Sequence, residues 1–158
     1  MGRFMNHKKL VVALALIATA LILTHLPVSE ADAAASASDF LIEGSTLTKY
    51  RGTDERVTIP DTVEVVGESA FENNQKVQLV VVPKSVKRMD AYVFWGCDNL
   101  EEVVLGKGLT AVDEYAFSGC TGLKQITIPE NVQSIDAQAF AGCVNLTDIY
   151  IPATVTGI

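Results

Sequence analysis

Three cysteines at equal intervals along the chain are the side chains best suited to chemistry: Cys97, Cys120 and Cys143. If the interval reflects stacked turns of the chain, neighbouring Cα atoms fall within the disulfide range of about 4.4–6.8 Å. Three is an odd number, however, and the side chains of stacked turns project in parallel. We therefore favour a column of small buried thiols. A Cys97–Cys120 or Cys120–Cys143 bridge is the alternative in an oxidising compartment.

Histidine chemistry is excluded from most of the chain, because His7 and His25 both lie in an N-terminal segment that we expect to be removed. Without imidazole the remainder has no Ser-His-Asp or Cys-His nucleophile system and no zinc site that needs histidine. The stretch Gly106-Lys107-Gly108 lacks the spacing of a phosphate-binding loop.

Two pairs of adjacent carboxylates, Glu101-Glu102 and Asp113-Glu114, are the remaining candidates for acid–base work. Adjacent residues usually point in different directions, and no other reactive group converges on either pair. We interpret both pairs as solvated surface. The sequence thus predicts no catalytic, metal-binding or cofactor-binding residues.

The interval between the cysteines belongs to a repeat that runs through the second half of the chain. One position is always phenylalanine, and the following positions are apolar at the same spacing. The aligned phenylalanines are Phe71, Phe94, Phe117 and Phe140, and the cysteine column begins with Asn74 in the first unit. A fixed period within the range of about 20–29 residues is typical of a solenoid of leucine-rich-type turns, which become stable only by stacking on one another.

Local patterns predict what each turn contains. Ile126 and Ile128 share one face of a strand while Thr127 points away, and strands of successive turns should pair in parallel. A second apolar pair, Val132 and Ile135 in this unit, should form a short turn that closes the coil on its far side. The stretch from Glu114 to Phe117 reads as a single helical turn. The predicted fold class is an α/β solenoid in which every repeat supplies one parallel strand and one short helical turn.

The predicted domain boundaries follow from composition. Residues 1–33 join a basic start, an apolar run from Leu10 to Leu26 and the small-residue site Ala31-Asp32-Ala33, which is typical of a secretory signal peptide. The alternative is an uncleaved anchor, for which the run sits at the short limit of about 20 residues. Residues 34–38 should be a linker, 39–56 an N-terminal β-hairpin cap, and 57–158 the solenoid, with four full units and the start of a fifth.

The net charge of the protein restricts the classes of partner that it can bind. Cleavage removes three of 12 basic and two of 19 acidic residues, which leaves nine against 17 and a net charge of −8. An acidic surface disfavours nucleic acid and anionic lipid headgroups. We expect contact with a membrane only through the signal peptide, if it is not cleaved.

The outward positions of the strands form the candidate binding face, because they vary between units while the inward positions do not. They are Leu79, Val81, Glu102, Val104, Gln125, Thr127, Asp148 and Tyr150. Trp95 stands beside Phe94 where other units carry smaller or polar residues. It is equally consistent with an exposed contact residue and with packing over the neighbouring turn.

The unit A-F-x-G-C-x-x-L-x-x-I-x-I-P-x-x-V-x-x-I, best seen from Ala116 to Ile135, resembles the BspA-like leucine-rich repeats (class 5). The likeness extends from about Phe40 to Ile158, with Asn73-Asn74 replacing Gly-Cys in the first unit. It implies a curved solenoid, an extracellular location, and binding of proteins or surfaces without catalysis.

Two functions therefore remain open. The first is a secreted or cell-surface, adhesin-like module whose partner is an extracellular protein or glycan. The second is a passive spacer, or an N-terminal fragment that displays another domain of a longer surface protein. The chain ends at Ile158, just after the second apolar pair of a fifth unit and without a capping segment, which favours a fragment.

Overall fold

The computed structural model describes residues 35–157. The predicted signal peptide of residues 1–33 lies outside these residues. The described part is a parallel β-solenoid of about five turns, with about 23 residues in each turn. Its strands are short. One side of the coil forms a five-stranded sheet, and the other side forms a four-stranded sheet that includes the N-terminal hairpin and a separate two-stranded sheet.

The N-terminal strands form a hairpin. β1 (Phe40–Glu43) pairs antiparallel with β2 (Thr46–Tyr50), and the two are joined by a two-residue turn at Gly44-Ser45. Gly44 has a φ of +63°, as such tight hairpin turns require of their first residue. β2 also pairs in parallel with the first short strand of the solenoid, so the hairpin covers the first turn and continues its far-side sheet.

The larger sheet contains five parallel strands, one from each turn. They are β3 (Arg56–Thr58), β5 (Leu79–Val81), β7 (Glu102–Val104), β9 (Gln125–Thr127) and β11 (Asp148–Tyr150). Equivalent residues pair directly; for example, Val80 lies opposite Val103, which lies opposite Ile126. The shift between neighbouring strands is therefore one repeat length, as the sequence predicts.

The opposite side of the coil is also β-structure, which corrects the prediction of a single strand per turn. Two-residue strands lie there: β4 (Val65–Val66), β6 (Arg88–Met89), β8 (Ala111–Val112) and β10 (Ser134–Ile135). The second residue of each of these strands, such as Ile135, is buried. It is also the later residue of the apolar pair that was predicted to close the coil. This pair therefore closes the coil by way of a short parallel strand.

The predicted helical turn, and with it the α/β label, is wrong. Among residues 35–157 the only helix is a 3-10 turn at Ala37–Asp39. Tyr115 has a φ of +55°, which ends any helical progression. The N–H groups of Tyr115 and Phe117 donate to the carbonyl oxygens of Ala137 and Ala139 in the next turn, at 3.2 and 2.8 Å. The N–H groups of Ala116 and Ser118 bond within the segment, to the carbonyl oxygens of Asp113 and Tyr115, so inter-turn and local bonds alternate, whereas a helix would use every donor locally.

The phenylalanines lie in one column. Ring centroids are 5.0 Å apart for Phe71–Phe94, 5.3 Å for Phe94–Phe117 and 5.2 Å for Phe117–Phe140. The first three are fully buried and Phe140 is half-buried. Tyr50 of the cap stacks on Phe71 at 5.0 Å, so the column continues into the hairpin.

The cysteines form a second buried column and are free. Each thiol donates to a main-chain carbonyl of an earlier turn: Cys97 to Phe71, Cys120 to Phe94 and Cys143 to Phe117, at 3.0–3.1 Å. All three thiols thus point the same way and are used as donors, and no bridge forms. Burial raises the pKa of Cys97 to about 12 and also raises the pKa values of Cys120 and Cys143.

The phenylalanine column predicts a large local contribution to stability. Phe117→Ala should lower the free energy of unfolding by about 3–5 kcal/mol, because it removes a fully buried ring with stacked neighbours on both sides. Urea unfolding of residues 34–158, followed by circular dichroism, measures this. Phe140→Ala is the matched control and should cost clearly less, since that ring is partly exposed. Equal losses, or a loss below about 1 kcal/mol for Phe117→Ala, would contradict an internal column.

The thiol column predicts slow alkylation of the native protein. Thiolates are the reactive form, so iodoacetamide at mildly alkaline pH should label Cys97 and Cys120 much more slowly than the half-buried Cys143. All three should react at similar rates in urea, which peptide mass spectrometry can follow. Rapid native labelling of Cys97 would contradict the sealed column.

The same pKa shifts predict a dependence of stability on pH. Folded thiols stay protonated above the pKa at which unfolded thiols ionise, so stability should fall as pH rises through and beyond about 8.5. Replacing Cys97 and Cys120 by alanine should flatten this decline in urea midpoints. A decline of unchanged steepness would assign it to other groups.

Candidate binding face

The outer side of the five-stranded sheet carries the eight strand residues predicted from the sequence. Inward side chains such as Val80, Val103 and Ile126 are buried, and the residues on either side of them project outward. Strand pairing aligns the outward residues in two columns. One is Arg56, Leu79, Glu102, Gln125 and Asp148; the other is Thr58, Val81, Val104, Thr127 and Tyr150. We call these ten residues the sheet face.

The second column of the sheet face is unusually apolar for an exposed surface. Val104 is 45% exposed and Tyr150 is 52% exposed, while Val81 is half-buried between its neighbours. Thr127 lies between Val104 and Tyr150 in the sequence order of the turns. Val81 and Val104 are therefore neighbours, whereas Thr127 separates Val104 from Tyr150; exposed apolar groups on one side of a sheet are a common property of contact surfaces. Arg56 and Thr58 of β3 extend the face beyond the predicted set, because β3 belongs to the same sheet.

Trp95 lies apart from the strands of the sheet face. It occupies the corner turn after Phe94, where its main-chain N–H donates to the carbonyl oxygen of Tyr92 at 3.0 Å. Its side chain is 39% exposed. Of the two interpretations that the sequence left open, the structure favours an indole that is accessible to solvent.

The same corner holds a feature that sequence reasoning missed, a stacked pair of tyrosines. The rings of Tyr92 and Tyr115 are 5.0 Å apart and 5° from parallel. Loss of hydration raises the pKa of Tyr92, and the negative charge of Glu114 adds to this effect. The signal was present in the sequence, because the two tyrosines occupy equivalent positions of consecutive repeats. Each ring covers one face of the other, so the pair leaves its outer faces and its edges for contacts.

A column of aspartates follows the short strands, at Asp90, Asp113 and Asp136. Partial burial raises the pKa of Asp113, and the charges of Asp136 and Asp90 raise it further. Arg88 forms an ion pair with Asp90 at 2.6 Å and relieves part of this repulsion. Within residues 35–157 no group of three or more metal-ligating side chains is placed to hold an ion.

The adjacent carboxylate pairs do not converge on a reaction centre. Glu101 forms an exposed ion pair with Lys124 at 2.7 Å, whereas Glu102 projects from the sheet face. Glu114 is exposed beside the tyrosine pair, whereas Asp113 belongs to the aspartate column. Their geometry is that of solvated surface groups, each with its own neighbours.

A polar groove lies at the corner that follows the strands of the sheet face. Its volume is about 570 Å³. Its lining residues include Thr110, Glu130, Asn131, Gln133, Thr154 and Thr156, whose carbon atoms form somewhat more of the groove's surface than their polar atoms do. The hydroxyl of Tyr150 donates to Glu130 Oε1 at 2.8 Å, which connects the groove to the sheet face. Sequence reasoning missed the groove because its residues come from three different turns.

No helix among residues 35–157 is long and apolar enough to cross a membrane.

Solved structures of bacterial repeat proteins are similar to this chain. A leucine-rich cell surface protein from Faecalibacterium prausnitzii has 34% sequence identity and a TM-score of 0.69, over 70% of this chain and 30% of that one. The leucine-rich repeat protein of T. pallidum has 27% identity and a TM-score of 0.76, over 79% of this chain and 64% of that one. A leucine-rich repeat protein from Bacteroides capillosus has 28% identity and a TM-score of 0.58, over 71% of this chain and 97% of that one.

The chain thus spans less than two thirds of the length of the first two of these proteins. No curated protein matches it by sequence. The model of the BspA type leucine-rich repeat region matches residues 49–158 in six copies. That match covers most of the chain and agrees with the observed turns, so the protein belongs to the BspA-type leucine-rich repeat family.

Proposed function

We propose that this protein is a non-catalytic, adhesin-like binding module that is secreted or held at the cell surface. In this proposal the sheet face contacts an extracellular protein. The predicted signal peptide and the cell-surface description of the F. prausnitzii protein support the location. Proteins of this family are scaffolds of stacked turns, and this architecture supports a binding function rather than a catalytic one.

The observation that carries this proposal is the apolar column Val81, Val104 and Tyr150 on an ordered sheet. A flat face of β-strands presents these side chains at fixed spacing and loses little conformational freedom when a partner binds. Tyrosine is enriched at the energetic centres of protein interfaces, since it offers a large apolar ring and a polar hydroxyl. Tyr150 combines both, with its hydroxyl already directed by Glu130.

The passive spacer remains the alternative function. The hydrogen bonds that link every turn to the next would make the solenoid a stiff rod, which suits a spacer as well as a binder. The two functions differ in what the sheet face should do. A spacer needs no specific contact there, so substitutions on the face should leave all measured interactions unchanged.

Charge substitution on the sheet face tests the proposal. Val104→Lys and Tyr150→Lys should each weaken adhesion to an immobilised extracellular-matrix preparation by about tenfold or more, because they place an ammonium group in the apolar column. Both should change the free energy of unfolding by less than about 1 kcal/mol, because both sites are exposed. Binding of fluorescently labelled residues 34–158 measures the first effect and urea unfolding the second.

Thr53→Lys is the matched control, since Thr53 is exposed in the turn that precedes β3 and lies outside the sheet face. It adds the same charge and should leave adhesion unchanged. Adhesion that survives both face substitutions would move the binding site elsewhere. Absence of adhesion by the unsubstituted protein would favour the spacer.

A further inference from the structure

We propose that the corner surface next to the sheet face binds an anionic polysaccharide. The corner surface consists of Lys84, Lys87 and Lys107 together with the polar groove. In this proposal the lysines bind carboxylate, sulfate or phosphate groups of the polysaccharide, and the groove binds the hydroxyl groups of its sugar rings. The site is separate from the protein-binding sheet face and does not depend on it.

Basic residues are concentrated at this corner although the protein is acidic. Residues 35–157 contain nine basic and 17 acidic side chains, yet four of the nine basic ones are Lys84, Lys87, Arg88 and Lys107. Arg88 is paired with Asp90. The ammonium groups of the three lysines form no ion pair and no hydrogen bond within the described part of the chain, and all three lysines are exposed. Clusters of this kind attract polyanions.

The backbone brings two of these like charges together. Lys84 and Lys107 occupy equivalent positions in consecutive turns, which lie about 4.8 Å apart in a parallel sheet. The glycines on either side of Lys107 permit this approach, because a Cβ atom at Gly106 or Gly108 would collide with the carbonyl oxygens of Pro83 and Lys84. Lys84 and Lys107 repel each other, and Asp61 and Glu130 at the equivalent positions of the flanking turns offset part of this repulsion; an anionic ligand would relieve the rest.

An unused hydrogen-bonding group lies within the same cluster. The hydroxyl of Ser85, between Lys84 and Lys87 in the chain, is buried and has no partner among residues 35–157. Buried polar groups in native proteins are nearly always paired, and an unpaired one often marks the place of a water or an ion.

The groove continues from the lysines along the solenoid axis. The main-chain N–H of Thr110 donates to the carbonyl oxygen of Lys87, Gln133 donates likewise to Thr110, and Thr156 to Gln133, at 3.3, 2.9 and 3.0 Å. The Nδ2 of Asn131 donates to the carbonyl oxygen of Lys107 at 2.6 Å. The lysines and the groove therefore belong to neighbouring turns on the same corner of the solenoid.

The side chains along this surface change from charged to neutral. The equivalent positions of consecutive turns carry Glu64, Lys87, Thr110, Gln133 and Thr156. Hydroxyl and amide groups both donate and accept hydrogen bonds, as sugar hydroxyls do. The groove is more open than enclosed, so a ligand bound there would stay largely exposed to solvent. Glu130 is the one carboxylate among the described lining residues, so the acidic substituents must lie at the lysine end.

The probes are dextran sulfate and polygalacturonate as anionic polysaccharides, dextran as the neutral one, and a DNA duplex as a polyanion whose sugar rings carry no free hydroxyl groups within the chain. We expect residues 34–158 to bind at least one anionic polysaccharide in titration calorimetry, with an affinity that falls as salt rises. Binding of dextran and DNA should be at least about tenfold weaker. Absence of binding by both anionic polysaccharides at low salt would overturn the proposal, as would equal affinity for DNA.

The double variant Lys84→Gln/Lys107→Gln should lower the affinity for the anionic polysaccharide by about tenfold or more and flatten its salt dependence. The double variant Lys76→Gln/Lys124→Gln makes the same change in net charge at exposed lysines elsewhere and should have little effect. Gln133→Leu, which keeps the size but removes the amide, should weaken binding severalfold at high salt. Equal losses in the two double variants, or no loss with Gln133→Leu, would overturn the assignment of this corner.

Neither lysine variant should change adhesion to an extracellular-matrix preparation from which the anionic polysaccharides have been removed enzymatically, and Val104→Lys should leave polysaccharide binding intact. The two proposals can thus fail separately.

Discussion

Stacking of equivalent residues at about 5 Å is the constraint on which the whole structure depends. The rings from Tyr50 through Phe140 follow one another at 5.0–5.3 Å, and strands of the larger sheet pair with the same offset of one repeat. A single turn has too little apolar surface to be stable, so each ring depends on the ring above and the ring below. An insertion within a strand or a buried corner would break both the ring column and the strand register, whereas one in an exposed loop could project outward.

The same constraint determines where main-chain hydrogen bonds go. In each corner alternate N–H groups reach to the next turn, as those of Phe94 and Phe117 do to Ala116 and Ala139, while the N–H groups between them bond within the turn. A local helix would use those donors internally and would separate the turns. Left-handed residues at Ser69, Tyr92, Tyr115 and Gln138 rotate the chain so that the donors point along the axis. The thiols of the cysteine column complete this pattern by donating to carbonyls of the preceding turn.

The sequence predicts the features that every turn must share, and it misses those that depend on the backbone conformation or arise only when turns stack. Every turn must place the same kind of residue at its inward positions. The sequence therefore reveals the columns that contain Phe117 and Cys120 and the inward side of the strands. The helical turn at Glu114–Phe117 was predicted wrongly, because the left-handed conformation of Tyr115 is a property of the backbone and tyrosine has no preference for it. The far-side strands were missed because two residues are too few for an alternating pattern. The groove was missed because its walls meet only after stacking.

The function of such a protein can vary because its outward side chains do not contribute to the stacking of equivalent residues. Along one column of the sheet face the residue changes from Thr58 to Val104 to Tyr150 with the backbone register unchanged. At the corner, lysine gives way to threonine and glutamine within two turns, again without a change in the ladder of main-chain bonds. Chemistry can therefore differ between neighbouring surfaces at little cost in stability. The exception is Gly106-Lys107-Gly108, where the backbone itself is adapted to an outward residue. Departure from the repeat at the level of the backbone is consequently a stronger sign of a function than variation in an exposed side chain.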